Sequence, residues 1–289
     1  MRYKLIHKTT YTYLNSVHNY QCIVCLHPVN SDMQICEDFK LTIQPHPQNL
    51  YARKDYFDNT QYYFSILIPH ETLEVVATSI VEVLPPKLLF VNNGTCQEAL
   101  DLFRTNLTLK NELLQFQLAS PFIFWDDEVK QFAETCLIPD KAFYESVLKL
   151  SEKIFTEFEF KSGATTLNTP IKTVLKERKG VCQDFTHLMI AALRSLGFAA
   201  RYVSGYLETL PPKGKVKLQG SDASHAWVSV YVPGMGWCEF DPTNNLVPGE
   251  RHIVTAYGRD YSDISPLKGV LFSSGAHKVK VEVDVIPIP

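Results

Sequence analysis

The sequence lacks the features that direct a protein to nucleic acid or into a membrane. Its 28 lysine and arginine residues are outnumbered by 31 aspartate and glutamate residues, for a net charge of −3. Nucleic-acid-binding domains usually carry a basic excess, so we expect no nucleic-acid partner. No apolar run approaches the roughly 18 residues of a transmembrane helix. The first residues lack the apolar centre of a secretory signal, so we expect no membrane partner and no export.

The cysteines form no disulfide framework. Seven is an odd number, and their spacing suggests no pairing. Cys22 and Cys25 lie close together on a predicted strand, but no second pair completes a zinc ligand set. We therefore expect no metal and no cofactor, and packing as the role of most of the cysteines. Free thiols suit a reducing compartment, which predicts a cytoplasmic protein.

What is present is an ordinary globular composition, 45% apolar and 20% charged, enough to bury a sizeable core. Residues 1–85 contain short alternating segments separated by turn residues, which predict an antiparallel β-sandwich. From about residue 95 the period changes to that of helices, and strands follow later, which predicts an α+β domain. The predicted domains are 1–86 and 87–289, with Pro85 and Pro86 as the linker.

The individual elements follow from these two periods. N-terminal strands are predicted at Tyr3–Tyr13, Tyr20–Leu26, Phe39–Ile43, Tyr62–Ile68 and Leu73–Leu84, with a hairpin connection at Asp55–Asn59. Helices are predicted at Cys96–Leu114, Trp125–Leu137, Lys141–Phe158 and Ile171–Arg178. The polar segment Pro211–Asp222 predicts an exposed loop, and the alternating residues 278–285 predict a closing strand with one solvated face.

The stretch Gly180–Leu188 is the most informative part of the chain. From Val181 to Leu196 apolar residues recur every three or four positions, which indicates one stripe of a helix. Gly197 follows the stripe, where a helix end favours glycine. Cys182 therefore lies in the first turn, where unpaired backbone N–H groups and the helix dipole favour the thiolate. Position alone does not separate a nucleophile from a buried structural cysteine.

Two later segments supply chemical partners for this cysteine. Residues 223–232 alternate strictly and predict a strand that carries His225. Residues 237–244 predict a second, short aromatic strand, and Pro233–Gly236 between them predicts a hairpin. A cysteine at a helix start, a histidine on one strand and Asp241 on its neighbour are the parts of a nucleophile, a base and an orienting carboxylate.

The hairpin needs a particular register if the carboxylate is to reach the histidine ring. Opposite residues of an antiparallel pair share a face, and a slip of one residue changes that face. A plain four-residue loop would place Asp241 opposite Val228, on the wrong side of the sheet. We therefore predict a connection of three or five residues centred on Gly234, or an equivalent β-bulge, which places Asp241 opposite Trp227.

These segments resemble the transglutaminase-like cysteine enzyme superfamily, which has a papain-like core. Its bacterial branch carries Gly-x-Cys-Gln-Asp-Phe-x-His-Leu, His-Ala-Trp and Gly-Trp-x-x-Phe-Asp-Pro-Thr, which stand here at 180–188, 225–227 and 236–243. Residues 258–261 and 266–269 resemble the C-terminal block of that branch. The first 85 or so residues resemble its N-terminal β-domain. The resemblance implies an α+β fold: an N-terminal antiparallel β-sandwich followed by a papain-like catalytic core.

The same resemblance implies a thiol acyl-transfer enzyme, with Cys182 as nucleophile, His225 as base and Asp241 as orienting residue. The substrate would be a protein, a peptide or another amide, and the thioester would be resolved by water or by an amine. We predict hydrolysis, as in a cysteine protease or amidase, because water needs no acceptor site. A protein-glutamine amine transferase and a non-catalytic scaffold are the alternatives. The sequence contains no feature from which we predict an oligomeric state.

Six further residues are weighed as cleft-lining or supporting groups: Gln183, Asp184, His187, Trp227, Arg259 and Asp260. Asp184 lies in the first helical turn, and we interpret it mainly as a helix-start charge. His187 follows Cys182 by five residues, about 140° of helix rotation, so its side chain should point away into the core. Arg259 and Asp260 are expected to form a structural ion pair. Gln183 and Trp227 are candidates for lining the cleft.

Overall fold

The computed structural model describes residues 1–85, 94–209, 222–272 and 275–289. The first part of the chain is made of antiparallel strands. They are β1 (Arg2–Val24), β2 (Gln34–Gln44), β3 (Asn49–Lys54), β4 (Thr60–Ile66) and β5 (His70–Val83). Their order in the sheet is β2-β5-β1-β4-β3. The predicted hairpin connection at 55–59 joins β3 to β4, where Lys54 pairs with Thr60.

The long strand β1 organises this part of the protein. Its first half pairs with β5, and its second half pairs with β4 after a register shift between Thr12 and Val17. Buried side chains from both halves, such as Tyr13 and Tyr20, form one cluster with Phe64 of β4 and Leu73 of β5. The sequence predicts two separate strands here because the polar residues between Tyr13 and Tyr20 look like a turn. The structure instead continues one strand through them and confirms the N-terminal antiparallel sheet.

Two C-terminal strands return to this sheet. β12 (Leu267–Phe272) and β13 (His277–Ile288) both pair antiparallel with β1. A division of the chain at residue 86 therefore does not follow the strand pairing, because these last strands lie with the N-terminal sheet. Pro85 is the last described residue before the predicted linker, and Pro86 lies outside the described residues.

The middle of the chain is mainly helical. It contains α1 (Cys96–Thr105), α2 (Leu107–Leu113), a 3-10 turn (Leu114–Phe116), α3 (Asp127–Glu134), α4 (Phe143–Glu157), α5 (Ile171–Glu177), α6 (Cys182–Ser195) and, later, α7 (Tyr261–Ile264). The predicted helix Cys96–Leu114 is broken at Asn106, whose side chain accepts the N–H of Leu109 and starts α2. Among the described ranges, no helix is long and apolar enough to cross a membrane.

A second antiparallel sheet carries the remaining strands. It contains β8 (Ala200–Leu207), β9 (Ser224–Val232), β10 (Gly236–Phe240) and β11 (His252–Gly258), in the order β10-β9-β8-β11. A two-stranded parallel pair, β6 (Glu159–Phe160) with β7 (Lys179–Gly180), leads into α6. The loop predicted at 211–222 lies outside the described residues, except for Asp222, whose backbone pairs with Val283.

Helix α6 lies at the centre of the core that follows the N-terminal strands. Its predicted apolar stripe, which includes Phe185 and Leu188, is buried in one cluster with Val228 and Val230 of β9. The other sides of α6 are covered as well, because residues 184–194 are all buried. A helix enclosed on every side has a fixed position relative to the sheet. Its first turn, with Cys182, is therefore held at a defined place beside β9.

Candidate active site

The first turn of α6 presents Cys182. Cys182 is the first residue of the helix, follows Val181 as the N-cap, and is only partly buried. The Asp184 carboxylate holds this turn, since its Oδ2 accepts the Val181 N–H at 2.8 Å and the Thr165 hydroxyl at 2.6 Å. Burial raises the pKa of Asp184, and these two hydrogen bonds offset only part of the effect. Asp184 thus belongs to the helix start, as the sequence interpretation favours.

Gly180 is required because the chain passes close to Asp184. A Cβ at Gly180 would lie 2.8 Å from the Asp184 Cβ. We expect Gly180→Ala to lower the free energy of unfolding by about 1–3 kcal/mol, as overpacking does. Gly249→Ala is the control, because a Cβ there meets no atom within 4 Å. Denaturant unfolding measures both variants, and equal stabilities would contradict the expectation.

The β9–β10 hairpin has the register that the sequence predicts. Gly236 pairs with Val232, which leaves a three-residue connection centred on Gly234. Gly234 has φ +78°, a conformation that glycine adopts without strain. Continuing the observed pairing past Phe240 places Asp241 opposite Trp227, on the face of the β9 histidine. The prediction of an odd-length connection is confirmed.

The three residues of the predicted triad lie together. His225 Nε2 is 2.7 Å from Asp241 Oδ2, and Asp241 is fully buried. The Cys182 thiol lies close enough to the same imidazole to help raise its pKa. Since Nε2 faces the carboxylate, Nδ1 is the ring nitrogen left for the thiol. The order thiol, imidazole, carboxylate is the arrangement in which a base can activate a nucleophile.

The electrostatics of the site favour a charged His225–Asp241 pair at neutral pH. Burial by itself lowers the pKa of His225, but the hydrogen bond with Asp241, the neighbouring Cys182 sulfur and the negative charge of Asp241 outweigh it and raise the pKa to about 9. Burial would raise the pKa of Asp241, but hydrogen bonds from His225, His252 and Asn244 outweigh it and hold that pKa well below its usual range.

Two residues around Asp241 were not identified from the sequence. Asp241 Oδ2 also accepts Asn244 Nδ2 at 2.8 Å and lies 3.2 Å from His252 Nε2. Its Oδ1 accepts the backbone N–H of Thr243 at 3.0 Å and of Asn244 at 3.2 Å. The Asp-Pro-Thr-Asn sequence could have indicated Asn244, because aspartate side chains commonly accept N–H groups two residues on in turns. His252 gave no such signal, because it lies on β11, a strand absent from the sequence prediction.

One set of side chains in the described ranges has the spacing of metal ligands. Atoms of His225, Asp241 and His252 that could bind a metal lie within 4.8 Å of one another. Two imidazoles and a carboxylate could hold a transition metal. Their hydrogen bonds account for this approach without an ion, so we interpret the set as a proton-handling network.

His187 is a core histidine, as the helical geometry predicts. Its ring stacks on Phe122 with centroids 5.6 Å apart, and its Nε2 accepts the Tyr261 N–H at 3.3 Å. Burial lowers the pKa of His187 to about 4, so the ring is neutral at physiological pH. It positions Phe122 and α7 against α6.

Trp227 packs against the rings of His225 and His252. Its side chain is fully buried, and its Nε1 donates to Glu239 at 2.7 Å. The indole packs 5.8 Å from the ring of His225 and 5.3 Å, edge-on, from that of His252. Trp227 thus limits the movement of both rings. Gln183 is partly exposed next to Cys182 and stays a candidate for lining the cleft.

The predicted ion pair between Arg259 and Asp260 is wrong. Arg259 binds both oxygens of Asp263, at 2.9 Å each. Asp260 instead accepts the Ser262 N–H at 2.8 Å as the N-cap of α7, and the Phe122 N–H at 2.8 Å. Asp260 has an extended backbone, in which neighbouring side chains point to opposite sides, whereas the turn of α7 brings a carboxylate four residues on within reach of Arg259.

Both the N-terminal part of the chain and its core match known protein families. Residues 3–82 match the bacterial transglutaminase-like N-terminal region, and residues 130–242 match the transglutaminase-like superfamily. Uncharacterised proteins of Mycobacterium tuberculosis and Mycobacterium bovis are 38% identical over 291 residues, which cover 99% of this chain and 93% of theirs. An uncharacterised protein of Mycobacterium leprae is 31% identical over 238 residues, 81% of either chain.

The fold also has a counterpart among solved structures. The crystal structure of a candidate cysteine protease from Cytophaga hutchinsonii matches with a TM-score of 0.75 and 23% identity, covering 100% of this chain and 92% of that one. At this identity the match supports the fold. The sequence matches show that the chain belongs to the transglutaminase-like superfamily, in the form that carries the bacterial N-terminal region.

Proposed function

We propose that the protein is a thiol acyl-transfer enzyme that hydrolyses amide or peptide bonds. The observation that carries the proposal is the 2.7 Å hydrogen bond between the buried Asp241 and His225, whose ring also lies next to the Cys182 thiol. A buried carboxylate that orients an imidazole beside a helix-start thiol is the arrangement required to generate a nucleophile. The substrate is a protein, a peptide or another amide.

In the first half-reaction the Cys182 thiolate attacks the carbonyl carbon of the substrate. The oxyanion that forms lies close to the start of α6, where the Cys182 backbone N–H has no partner within the helix and can donate to it. Protonated His225 then donates its proton to the leaving amine as the carbon–nitrogen bond breaks. A thioester on Cys182 and neutral His225 remain.

In the second half-reaction neutral His225 takes a proton from water, and the resulting hydroxide attacks the thioester. The acid product leaves, and the thiolate and the imidazolium are restored. An amine in place of water would give a transferase product through the same residues. We favour water because it needs no acceptor site.

Product analysis separates the two outcomes. The protein is incubated with casein or a glutamine-containing peptide, with and without a fluorescent primary amine, and ammonia, new α-amino groups and incorporated amine are quantified. We expect ammonia or α-amine release that does not depend on the added amine, and no release by Cys182→Ala. Incorporation of amine in excess of hydrolysis would assign the protein as a transferase instead.

Thiol labelling tests the non-catalytic alternative without a known substrate. At about pH 6 an ordinary thiol is mostly protonated and reacts slowly with iodoacetamide. We expect Cys182 to be alkylated first under these conditions. Cys238 is the internal control, since burial raises its pKa to about 11. Equal, slow labelling of both cysteines would favour a scaffold.

The pH dependence of catalysis should have a descending limb near pH 9. His225 has its pKa raised to about 9, so the imidazolium that protonates the leaving amine is lost as pH rises through that value. The apparent values belong to the coupled Cys182–His225 pair. His187→Ala should leave the limb in place, and a limb that moves with His187 would contradict the assignment. The profile is measured as kcat/KM against pH.

We also propose that the protein works in the cytoplasm. All seven cysteines lie in the described ranges, and all are free. A thiol nucleophile keeps its reduced form in a reducing compartment. Fractionation of cells that express the protein, with immunodetection of each fraction, tests this localisation.

A further inference from the structure

His252 approaches the active site from an unexpected direction. It is the first residue of β11, which is one edge of the sheet, whereas Asp241 follows β10 at the other edge. Two strands separate these edges, yet His252 Nε2 lies 3.2 Å from Asp241 Oδ2. The ring is buried, with only 7% of the residue exposed. This hydrogen bond therefore links the two edges of the catalytic sheet.

A glycine on β8 permits this link. Gly205 pairs with His225, and a Cβ at Gly205 would lie 2.0 Å from the Ile253 carbonyl oxygen and 2.7 Å from the Trp227 ring. The absence of a side chain lets β11 and the indole approach β8 closely. The rings of His252 and Trp227 then pack in a T-shaped contact, with centroids 5.3 Å apart.

The Asp241 carboxylate needs such a link because it lies beyond the end of its strand. Its backbone pairs with Leu246 in a tight connection, and its Oδ1 is held by the N–H groups of that same connection. Asn244, which bonds Oδ2, also belongs to it. Among the described side chains that bond Oδ2, His225 is the group to be oriented, and His252 is the donor from outside the connection.

We propose that His252 is a positioning residue for the acyl-transfer reaction. It donates its Nε2–H to Asp241 Oδ2 and anchors the carboxylate to β11, so that the same oxygen stays aligned with His225. The role rests on the proposed function, because orienting His225 matters only if that ring activates Cys182. His252 touches neither the thiol nor the substrate, and it acts through Asp241.

Two variants separate hydrogen bonding from packing. His252→Phe keeps a ring against Trp227 but has no donor, whereas His252→Gln keeps an amide donor of similar reach. We expect the phenylalanine variant to lose roughly tenfold or more in kcat with KM unchanged, the factor for one lost hydrogen bond to a charged group. Its rate of Cys182 alkylation by iodoacetamide at about pH 6 should fall in parallel. The glutamine variant should recover most of both rates.

Several results would overturn the proposal. Wild-type kcat and alkylation rate in His252→Phe would show that the hydrogen bond is dispensable. Equal losses in both variants, together with a lower melting temperature, would assign His252 a packing role only.

A separate measurement covers the case in which the wild-type protein neither turns over nor alkylates selectively, which would refute the proposed function itself. In ¹⁵N-histidine NMR spectra we expect two Nε2–H protons bonded to the carboxylate in the wild type. His252→Phe should remove one of them and shift the other. A spectrum in which the His225 proton does not change would contradict the positioning role independently of activity.

Discussion

Cys182→Ala is expected to abolish turnover, with a loss of about 10⁴-fold or more, while the protein stays folded. The substitution removes the only protein atom that forms a bond to the substrate carbon in the proposed reaction. Alanine suits a helix, and the cysteine is only partly buried at the helix start, so unfolding should change little. Steady-state rates and thermal unfolding measure the two effects.

A matched variant shows whether the effect is specific to this thiol. Cys238 of β10 pairs with Val230 of β9. It packs against the core, on the side of the sheet opposite to His225. Cys238→Ala should therefore retain most of the activity, with at most a modest loss of stability from the smaller side chain. Turnover by a clean preparation of Cys182→Ala would remove Cys182 from the mechanism, whatever Cys238→Ala does.

Asp241→Asn is expected to lower kcat/KM by about 10²–10⁴-fold and to lower stability as well. The amide removes the negative charge that helps to raise the pKa of His225, so the descending limb of the pH profile should move to lower pH. The NH₂ group of the introduced asparagine would also face hydrogen-bond donors, and not acceptors, in a fully buried position. Breaking such a buried pair costs roughly 3 kcal/mol of unfolding free energy. Kinetics across pH and denaturant unfolding test both parts.

The stability difference between wild type and Asp241→Asn should depend on pH. Asp241 has its pKa lowered from 3.8, so its contribution is present above that value and is lost as pH falls below it. His225 has its pKa raised from 6.5 to about 9, so its contribution is complete below 6.5 and is lost as pH rises through about 9. The stability difference should thus be largest between about pH 3.8 and pH 6.5. It should shrink below that range and as the pH rises through about 9.

Asp263→Asn is the control for this prediction. Asp263 is paired with Arg259 in an ion pair whose side chains are partly exposed. Its loss should change unfolding modestly and leave the pH profile of catalysis unmoved. A shift of the profile in the control, or its absence in Asp241→Asn, would show that the His225–Asp241 bond does not set the titration.

The local features of the site follow from the sequence because their causes are local. The stripe from Val181 to Leu196 defines α6, and the alternation around His225 defines β9. Gly234 and the parity of opposing faces determine the hairpin register, because a carboxylate on the wrong face cannot reach the imidazole. These relations involve residues within one helix or one hairpin, where the 3.6-residue and two-residue periods apply directly.

The boundaries of elements were less predictable where polar residues interrupt a pattern. The segment between Tyr13 and Tyr20 looks like a turn but lies within β1, where Val17 pairs with His70 of β5 and His18 pairs with Phe272 of β12. Asn106 has the opposite effect and breaks a helix that its apolar neighbours predict as continuous. In both cases polar side chains can bond the local backbone in place of a strand or helix hydrogen bond. Which of the two forms depends on the neighbours that the fold supplies.

By itself, the sequence determined the helix that presents Cys182, the strand that carries His225 and the hairpin that leads to Asp241. It also determined the family that these segments share. Only the tertiary structure decided that His252 reaches Asp241 from the opposite edge of the sheet, and that β12 and β13 join the N-terminal sheet. The physical reason is that these contacts join segments whose approach depends on which sheet edges and cavities remain unfilled after the elements pack. No local periodicity encodes that choice.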